Sequence, residues 1–210
     1  MDRLRILLAG VGGQGTLTAT NLLALVAEDL DMPVTAGEIH GMAQRGGIVE
    51  SAVLLGGYAS PRIDRGEADL LLGFEPLETL RALPYLHTGG TVVSNSEATP
   101  PVGVSLGDAT YPDLERITSR SGECATVSRF LPCQDLARQA GTPKAANTVL
   151  LGAMCAVPDA PFSIEDLEAG VRKHLPEKIA GVNVDAARKG YETVRSTFSV
   201  QRSAFEENQG

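Results

Sequence analysis

The apolar residues of this chain follow two kinds of spacing in its first forty positions. Residues 3–10 form a short apolar run that ends in glycine, which predicts a buried strand. Over residues 16–30 apolar side chains recur at helical spacing, which predicts a helix, and residues 33–36 are a second strand candidate. A strand, a tight turn, a helix and a strand in this order indicate a parallel sheet with a crossover helix.

The pattern then continues to alternate and becomes helical towards the end of the chain. Further strands are predicted at residues 48–54, 68–74, 91–94 and 124–131. Helices are predicted at residues 76–86, 113–120, 134–139, 145–156, 164–175 and 184–198. Loops are expected at residues 37–47 and over most of 95–122. We therefore predict one α/β domain over residues 1–200, a three-layer Rossmann-like fold with a mainly parallel sheet and a helical C-terminal third, followed by a polar tail at 201–210.

Composition excludes several classes of function. The chain has 210 residues, of which 43% are apolar, and a net charge of −8 without any run of lysine or arginine, so we expect no nucleic-acid partner. Its apolar runs are strand-sized and too short to span a bilayer, so no membrane association is expected. The first residues lack the pattern of a signal peptide, and we expect a cytoplasmic protein.

Cysteine and histidine are too few for a metal centre built by this chain alone. The three cysteines, Cys124, Cys133 and Cys155, are far apart and form no C-x-x-C pair, which argues against a disulfide scaffold. An iron–sulfur cluster usually takes four thiolates, and three histidines make a structural zinc site improbable. We expect no cofactor to be bound by this chain alone, and any metal chemistry to belong to another chain.

A glycine-rich turn follows the first predicted strand. Gly10, Gly12 and Gly15 satisfy G-x-G-x-x-G between a strand and a helix, where backbone amides at the helix start face an anion. A dinucleotide site would also need an acidic residue at the end of the second strand, and Glu38 lies near that place. Alternatively, the glycines only shape the corner between strand and helix.

Four stretches of the chain resemble the gamma domain of the 2-oxoacid:acceptor oxidoreductases, in the version found in small subunits of indolepyruvate oxidoreductases. They are GVGGQG at residues 10–15, GEIHGMAQRGGIVES at 37–51, LLGFEPLE at 71–78 and KAANTVLLGA at 144–153. Asn183 and the pair Gly190-Tyr191 add a weaker match, so the resemblance spans most of the chain. It departs at residues 52–55, where relatives often carry a basic residue, and at 95–122, which matches no family motif.

The resemblance implies a subunit that is inactive by itself. The parent complex decarboxylates a 2-oxoacid on thiamine diphosphate, transfers the acyl group to coenzyme A and passes electrons through iron–sulfur clusters to ferredoxin. Thiamine diphosphate, magnesium and the clusters are expected on a large partner subunit, with coenzyme A as co-substrate. An isolated small subunit would expose the apolar patch meant for that partner, so it could form a homodimer.

The same resemblance implies a set of site residues on the glycine-rich turn, on the loop after the second strand and on a late helix. Arg45 suits a carboxylate or phosphate because its planar guanidinium binds two oxygens at once, and His40 could donate a proton near neutral pH. The candidates for active-site completion are therefore His40 and Arg45, and those for cofactor binding are Gly12, Gly13, Gln14, Gly15, Gln44 and Asn147.

Other interpretations of these residues stay open at this point. In a purely structural role, Arg45 forms an ion pair with Glu38 or Glu50 that holds the loop. His40 can be an interface hydrogen-bonding group, and Asn147 can hold a loop. Glu75 before a proline is more typical of helix-start electrostatics than of a general base. For the whole chain, the alternatives are a free-standing NAD(P)-binding reductase and a purely structural subunit.

Overall fold

The computed structural model describes residues 3–40, 47–99 and 110–207, with the backbone alone at 39–40 and 199–207. Within these residues the strands are β1 (Leu4–Val11), β2 (Val34–His40), β3 (Ile48–Leu55), β4 (Ala68–Gly73), β5 (Leu86–Asn95) and β6 (Val127–Leu131). The helices are α1 (Thr16–Asp29), α2 (Pro76–Ala82), α3 (Leu114–Cys124), α4 (Cys133–Ala140), α5 (Ala146–Met154), α6 (Ile164–His174) and α7 (Glu177–Glu207). Two 3-10 turns lie at Leu83–Tyr85 and Pro143–Ala145. Each predicted strand and helix is found near its expected place.

The six strands form one sheet in the order β2-β3-β1-β4-β5-β6. Strands β1, β4, β5 and β6 are parallel, and β3 runs antiparallel to both of its neighbours. The predicted mainly parallel sheet is therefore confirmed. Strands β1 and β2 run in the same direction, as the opening pattern predicts, but they are not neighbours because β3 returns from β2 and pairs between them.

The sheet is covered on both faces, which gives the three predicted layers. Side chains alternate along β1, so Ile6 and Leu8 face one layer while Leu7 and Ala9 face the other. The first layer contains α1 and the C-terminal helices α4 to α7, and the second contains α2 with the end of α3. Both faces of the strands are thus buried, which is why β1 and β4 contain unbroken apolar stretches, at residues 6–9 and 70–72, rather than alternating ones.

Strand β2 is longer than its apolar pattern predicts. The sequence pattern predicts a loop from residue 37, but the strand continues to His40, with Gly37 opposite Ala52 and His40 opposite Glu50. The part of the predicted loop over residues 37–40 was therefore wrong. Pairing with β3 supplies the backbone hydrogen bonds of this segment, so the strand forms without any apolar periodicity of its own.

The last helix begins earlier than predicted. It begins at Glu177 rather than near residue 184, because Asn183, a residue type that usually disfavours helix interiors, is accommodated there. Asn183 donates from Nδ2 to the Ile179 carbonyl (2.8 Å) and accepts from the Thr148 hydroxyl (2.7 Å), so its polar groups are satisfied. The backbone remains helical through to Glu207, into the polar segment.

Candidate functional site

The glycine-rich turn lies at the carboxyl edge of the sheet. At this point the helices that follow neighbouring strands change from one face of the sheet to the other. Strands β1 and β4 are parallel neighbours, yet α1 after β1 covers one face and α2 after β4 covers the other. In open α/β sheets such a switch point leaves a crevice between the two loops, and ligands bind there. The topology therefore places a candidate binding site beside residues 10–15.

The turn itself requires glycine at two positions. Gly13 has a φ of +102° and Gly15 a φ of +81°, a region that side-chain-bearing residues rarely adopt. The Gly12 amide donates to the Gly47 carbonyl at 2.8 Å, which fixes the turn against the start of β3. The turn is thus a rigid corner from which α1 begins directly after Gly15.

The start of α1 lacks a capping side chain among the residues that the structure describes. Gly15 provides no side-chain hydrogen bond, and the first turn of the helix contains no acidic residue. The first backbone N–H groups of a helix have no partner within the helix, and the helix dipole makes them attractive to an anion. Where such a terminus meets a crevice, it is suited to a phosphate or carboxylate.

Gln14 folds back into the turn instead of pointing away from it. Its Oε1 accepts from the Val11 amide at 2.8 Å, and its Nε2 donates to the Thr99 hydroxyl at 3.3 Å. One hydrogen of the amide nitrogen remains for a further acceptor. Gln14 therefore supports the turn first, and connects it to the segment that follows β5.

Asn147, at the start of α5, packs against the other side of the turn. A Cβ placed on Gly15 would lie 2.9 Å from the Asn147 Nδ2 atom, so the two residues are in close contact. The Oδ1 atom of Asn147 accepts from the Thr148 amide at 2.9 Å, which leaves the NH2 group directed at the turn. The predicted residues Gly15 and Asn147 are thus brought together from positions far apart in sequence.

Two cavities flank this contact. The first, of about 300 Å³, is lined by the ends of β4 and β5 and the starts of α4 and α5, and the second, of about 480 Å³, lies towards the start of α7. Both have walls that include Gly13, Gln14, Lys144 and Asn147. The two cavities together form one crevice around the glycine-rich turn, and we call it the turn crevice.

Lys144 gives the turn crevice a positive charge. It lies in the 3-10 turn that precedes α5, is exposed, and makes no ion pair with any described residue. Its ammonium and the amides of α1 both favour an anion, although the whole chain carries a net charge of −8. A local positive site on an acidic protein favours a specific anionic ligand over general attraction of anions.

The first cavity also contains hydrogen-bonding groups that are held in place by buried neighbours. Asn95, 2% exposed, accepts at Oδ1 from the Cys133 amide (3.1 Å) and donates to the Phe74 carbonyl (3.2 Å). The Gln134 Oε1 atom is buried and has no hydrogen-bond partner among the described residues. One residue that lines the cavity therefore has an acceptor without a partner in the described structure.

Glu75 organises the opposite wall. It is fully buried and caps α2, accepting at Oε2 from the amides of Leu77 (2.7 Å) and Glu78 (3.1 Å). Its Oε1 accepts from the Thr99 amide (3.1 Å) and from the Tyr111 hydroxyl. Burial, and next the hydrogen bond to Glu75, raise the pKa of Tyr111 well above its usual value, so the phenol remains a donor. The interpretation of Glu75 as a helix-start residue is confirmed.

Comparison with known proteins identifies the family to which this arrangement belongs. Residues 5–193 match the family described as pyruvate ferredoxin/flavodoxin oxidoreductase. The chain is 39% identical to the indolepyruvate oxidoreductase subunit IorB of Pyrococcus horikoshii, over 95% of this chain and the whole of the relative. The chain belongs to this family. The resemblance read from the four sequence motifs is confirmed.

Solved structures of the family share the fold of this pyruvate ferredoxin/flavodoxin oxidoreductase family member. The gamma subunit of the keto/oxoacid ferredoxin oxidoreductase from Geobacter sulfurreducens is 24% identical, with a TM-score of 0.67, over 92% of this chain and 99% of that one. The 2-oxoglutarate:ferredoxin oxidoreductase from Magnetococcus marinus is 16% identical, with a TM-score of 0.68, over 93% of this chain and 32% of that one. The three-layer α/β fold is therefore common to separate subunits and to parts of longer chains.

The predicted site residues that the structure describes in full lie at the glycine-rich turn and its contact with α5. Gly12, Gly13, Gln14, Gly15 and Asn147 form the turn and its contact with α5, as the geometry above describes. The backbone of His40 ends β2, but its side chain is outside the described residues, as are Gln44 and Arg45 entirely. Their assignment remains a prediction from sequence.

Several residues of the turn crevice were missed by sequence reasoning. Lys144 opens the KAANTVLLGA motif, so its charge next to Asn147 was a usable signal. Asn95, Thr99 and Gln134 lie in segments that match no motif, and only the fold brings them to one cavity. The sequence places Glu75 at the start of a helix. Its hydrogen bond from the Thr99 amide is not predictable in that way, because Thr99 lies in a distant segment of the chain.

The strand order also bears on dinucleotide binding. In that mode the acidic residue at the end of β2 must reach a ribose bound at the β1 turn. Here β3 separates β2 from β1, so Glu38 lies two strands away, at roughly 9–10 Å given ordinary strand spacing. This arrangement disfavours the NAD(P) alternative.

The described residues contain no cluster of three or more cysteine, histidine, aspartate or glutamate side chains that could hold a metal ion. The three cysteines lie on or next to three different helices, and burial raises the pKa of the Cys133 thiol and raises that of Cys155 to about 12. Both thiols are therefore protonated near neutral pH and poor metal ligands. Among the described residues, none of the helices has the length and apolar character needed to cross a membrane.

Proposed function

We propose that this chain is the small subunit of a 2-oxoacid:ferredoxin oxidoreductase that acts on indolepyruvate or another arylpyruvate. The observation that carries the proposal is the match to an indolepyruvate oxidoreductase subunit over that protein's whole length at 39% identity. In this role the chain completes the active site of a large subunit that carries thiamine diphosphate, magnesium and iron–sulfur clusters. It is inactive alone, because three dispersed cysteines cannot supply the four thiolates of a cluster.

The reaction assigned to the complex is oxidative decarboxylation. The 2-oxoacid loses carbon dioxide, its acyl group forms a thioester with coenzyme A, and two electrons pass through the clusters to ferredoxin. The contribution of this chain is to bind and orient an anionic reactant, since its described residues contain anion-binding groups but no acid–base pair in the turn crevice.

The anion is best supported as a phosphate of coenzyme A. Uncapped amides of α1 and the Lys144 ammonium favour a phosphate, and the Asn147 NH2 group lies beside them. The first cavity, of about 300 Å³, and the second, of about 480 Å³, leave room for groups on either side of that phosphate. The Magnetococcus marinus structure, which shares this fold, was solved with 2-oxoglutarate, coenzyme A and succinyl-CoA bound. His40, Gln44 and Arg45 are proposed to extend from the neighbouring loop towards the 2-oxoacid.

The first experiment is co-expression with the thiamine-containing large subunit from the same source. Reduction of a low-potential dye that depends on a 2-oxoacid and coenzyme A is measured for the pair and for each chain alone. Activity that requires both chains supports the proposal, and a panel of 2-oxoacids then identifies the substrate. Full activity of the large subunit without this chain would refute it, and calorimetric binding of NADH or NADPH to the isolated chain would favour the reductase alternative.

The second experiment addresses the anion site. In the complex, Lys144→Ala is expected to raise the KM for coenzyme A about tenfold with little change in kcat, because a charged hydrogen bond to a bound group is lost. Lys144→Arg should restore most of the affinity. Lys178→Ala removes an exposed lysine outside both cavities and serves as the matched control. Equal effects of the two alanine variants would contradict the assignment.

A further inference from the structure

A chain of hydrogen bonds connects a buried carboxylate to the glycine-rich turn. Glu75 Oε1 accepts from the Thr99 amide at 3.1 Å, and the Thr99 hydroxyl accepts from Gln14 Nε2 at 3.3 Å. The other end of the same Gln14 amide accepts from Val11 at 2.8 Å, at the point where β1 becomes the turn. We call this the Glu75–Thr99–Gln14 relay. Two of its members, Thr99 and Gln14, form walls of the first cavity.

Glu75 accepts hydrogen bonds from four protein groups. Two donors converge on each of its oxygens, so the described structure holds both oxygens in place. The side chain is 0% exposed, and the described groups bonded to its oxygens are amides and a hydroxyl rather than cations. A buried carboxylate is costly unless every donor stays in place, which gives the surrounding groups well-defined positions.

The two oxygens of Glu75 serve different parts of the structure. Oε2 caps α2 through the amides of Leu77 and Glu78. Oε1 accepts from Thr99 and Tyr111, which lie near the two ends of the segment between β5 and α3. A helix cap alone needs only the first oxygen. The second oxygen is therefore available for a separate role.

From these contacts we propose that Glu75 is a positioning residue of the turn crevice. Through Thr99 it sets the orientation of the Gln14 amide, and through Gln14 the shape of the turn whose amides bind the anion. This inference rests on the proposed function for its kinetic consequence, but its structural part applies to the chain alone.

Glu75→Gln separates the two roles. The glutamine oxygen can stay on the helix amides and keep the cap, while its NH2 group then faces the Thr99 N–H, so two donors oppose each other. Glu78→Gln is the matched control. It changes a carboxylate that is 2% exposed on the same helix and pairs with Arg81 at 2.7 Å, while the Glu78 backbone amide that donates to Glu75 Oε2 is retained.

Amide hydrogen exchange in the isolated full chain tests the relay without any activity. In Glu75→Gln, exchange at the Thr99 and Val11 amides should accelerate about tenfold, which corresponds to the loss of one hydrogen bond to a charged group. The exchange rate of the Leu77 amide should stay unchanged. Glu78→Gln should leave Thr99 and Val11 as in the wild type. Faster exchange at Thr99 with no change at Val11 would overturn the proposal, because the perturbation would not reach the turn.

Kinetics of the assembled complex test the consequence. Glu75→Gln and Gln14→Ala should each raise the KM for coenzyme A roughly tenfold with kcat within about twofold, and the double variant should be no worse than either one. Multiplied effects in the double variant, or an equal rise in KM for Glu78→Gln, would overturn the relay. If the wild-type pair shows no joint activity, the proposed function fails, and hydrogen exchange still decides on the relay.

Discussion

Helix α7 crosses α5 at a point where glycine lets the two backbones touch. A Cβ added to Gly190 would lie 1.9 Å from the Val149 carbonyl oxygen, and one added to Gly152 would lie 1.9 Å from that of Ala187. Both blocking atoms belong to backbone, which cannot rotate away as a side chain does. Gly190→Ala therefore forces α7 away from α5, the helix that carries Asn147 into the turn crevice.

The magnitude follows from two opposing effects. The methyl group must move more than 1 Å to reach the 3.0 Å that real Cβ contacts respect, and overpacking of a core costs about 1–3 kcal/mol. Alanine is better than glycine inside a helix by about 1 kcal/mol. With the steric cost in the upper half of its range, the expected net loss is about 1–2 kcal/mol, or roughly 2–8 °C in Tm for a chain of this size.

Thermal unfolding followed by circular dichroism measures this loss, and the same helix provides the control. Gly181 lies in α7 with no atom within 4 Å of an added Cβ, so Gly181→Ala gains the helix preference without the clash. It should raise Tm by about 2–4 °C. Identical substitutions in one helix are thus expected to have opposite signs. If Gly190→Ala raised Tm as Gly181→Ala does, the described crossing of α5 and α7 would be refuted.

Two further predictions concern the turn and the surface. Gly15→Ala places a side chain at a φ of +81° and within 2.9 Å of Asn147 Nδ2. The free energy of unfolding, measured in urea, is therefore expected to fall by about 1–2 kcal/mol. An unchanged free energy of unfolding would contradict the left-handed conformation of the turn. Hydrogen bonds from Lys173 and next from His174 lower the pKa of Asp29. This carboxylate therefore stabilises the fold at pH values above its unfolded pKa of about 4. The stabilisation is lost as the pH falls through the lower pKa of the folded state. Wild type and Asp29→Asn should accordingly differ in urea midpoint at pH 7 and converge as the pH falls below the folded pKa of Asp29, whereas a difference independent of pH would exclude an ionic contribution.

Local pattern was enough for the individual elements and for part of the site. Buried strands such as β1 and β4 contain unbroken apolar stretches. The glycine-rich turn is identifiable from its own residues because positive φ angles restrict the choice of side chain. Asn147 was predicted through a family motif rather than through any local physical signal. The motifs also identified the family, which the full-length comparison confirmed.

What the sequence by itself determined, then, is the order and type of the elements, because periodicity and turn residues act over a few positions. The insertion of β3 between β1 and β2, the early start of α7 and the convergence of Lys144, Thr99 and Gln134 on one cavity were decided only by the tertiary structure. Strand neighbours and cavity walls depend on contacts between distant segments, and such contacts leave no periodic trace in either segment. Glu75 combines a feature predictable from sequence with one decided by tertiary structure. Its helix cap is predictable from neighbouring residues, whereas its hydrogen bond from Thr99 forms only in the folded chain.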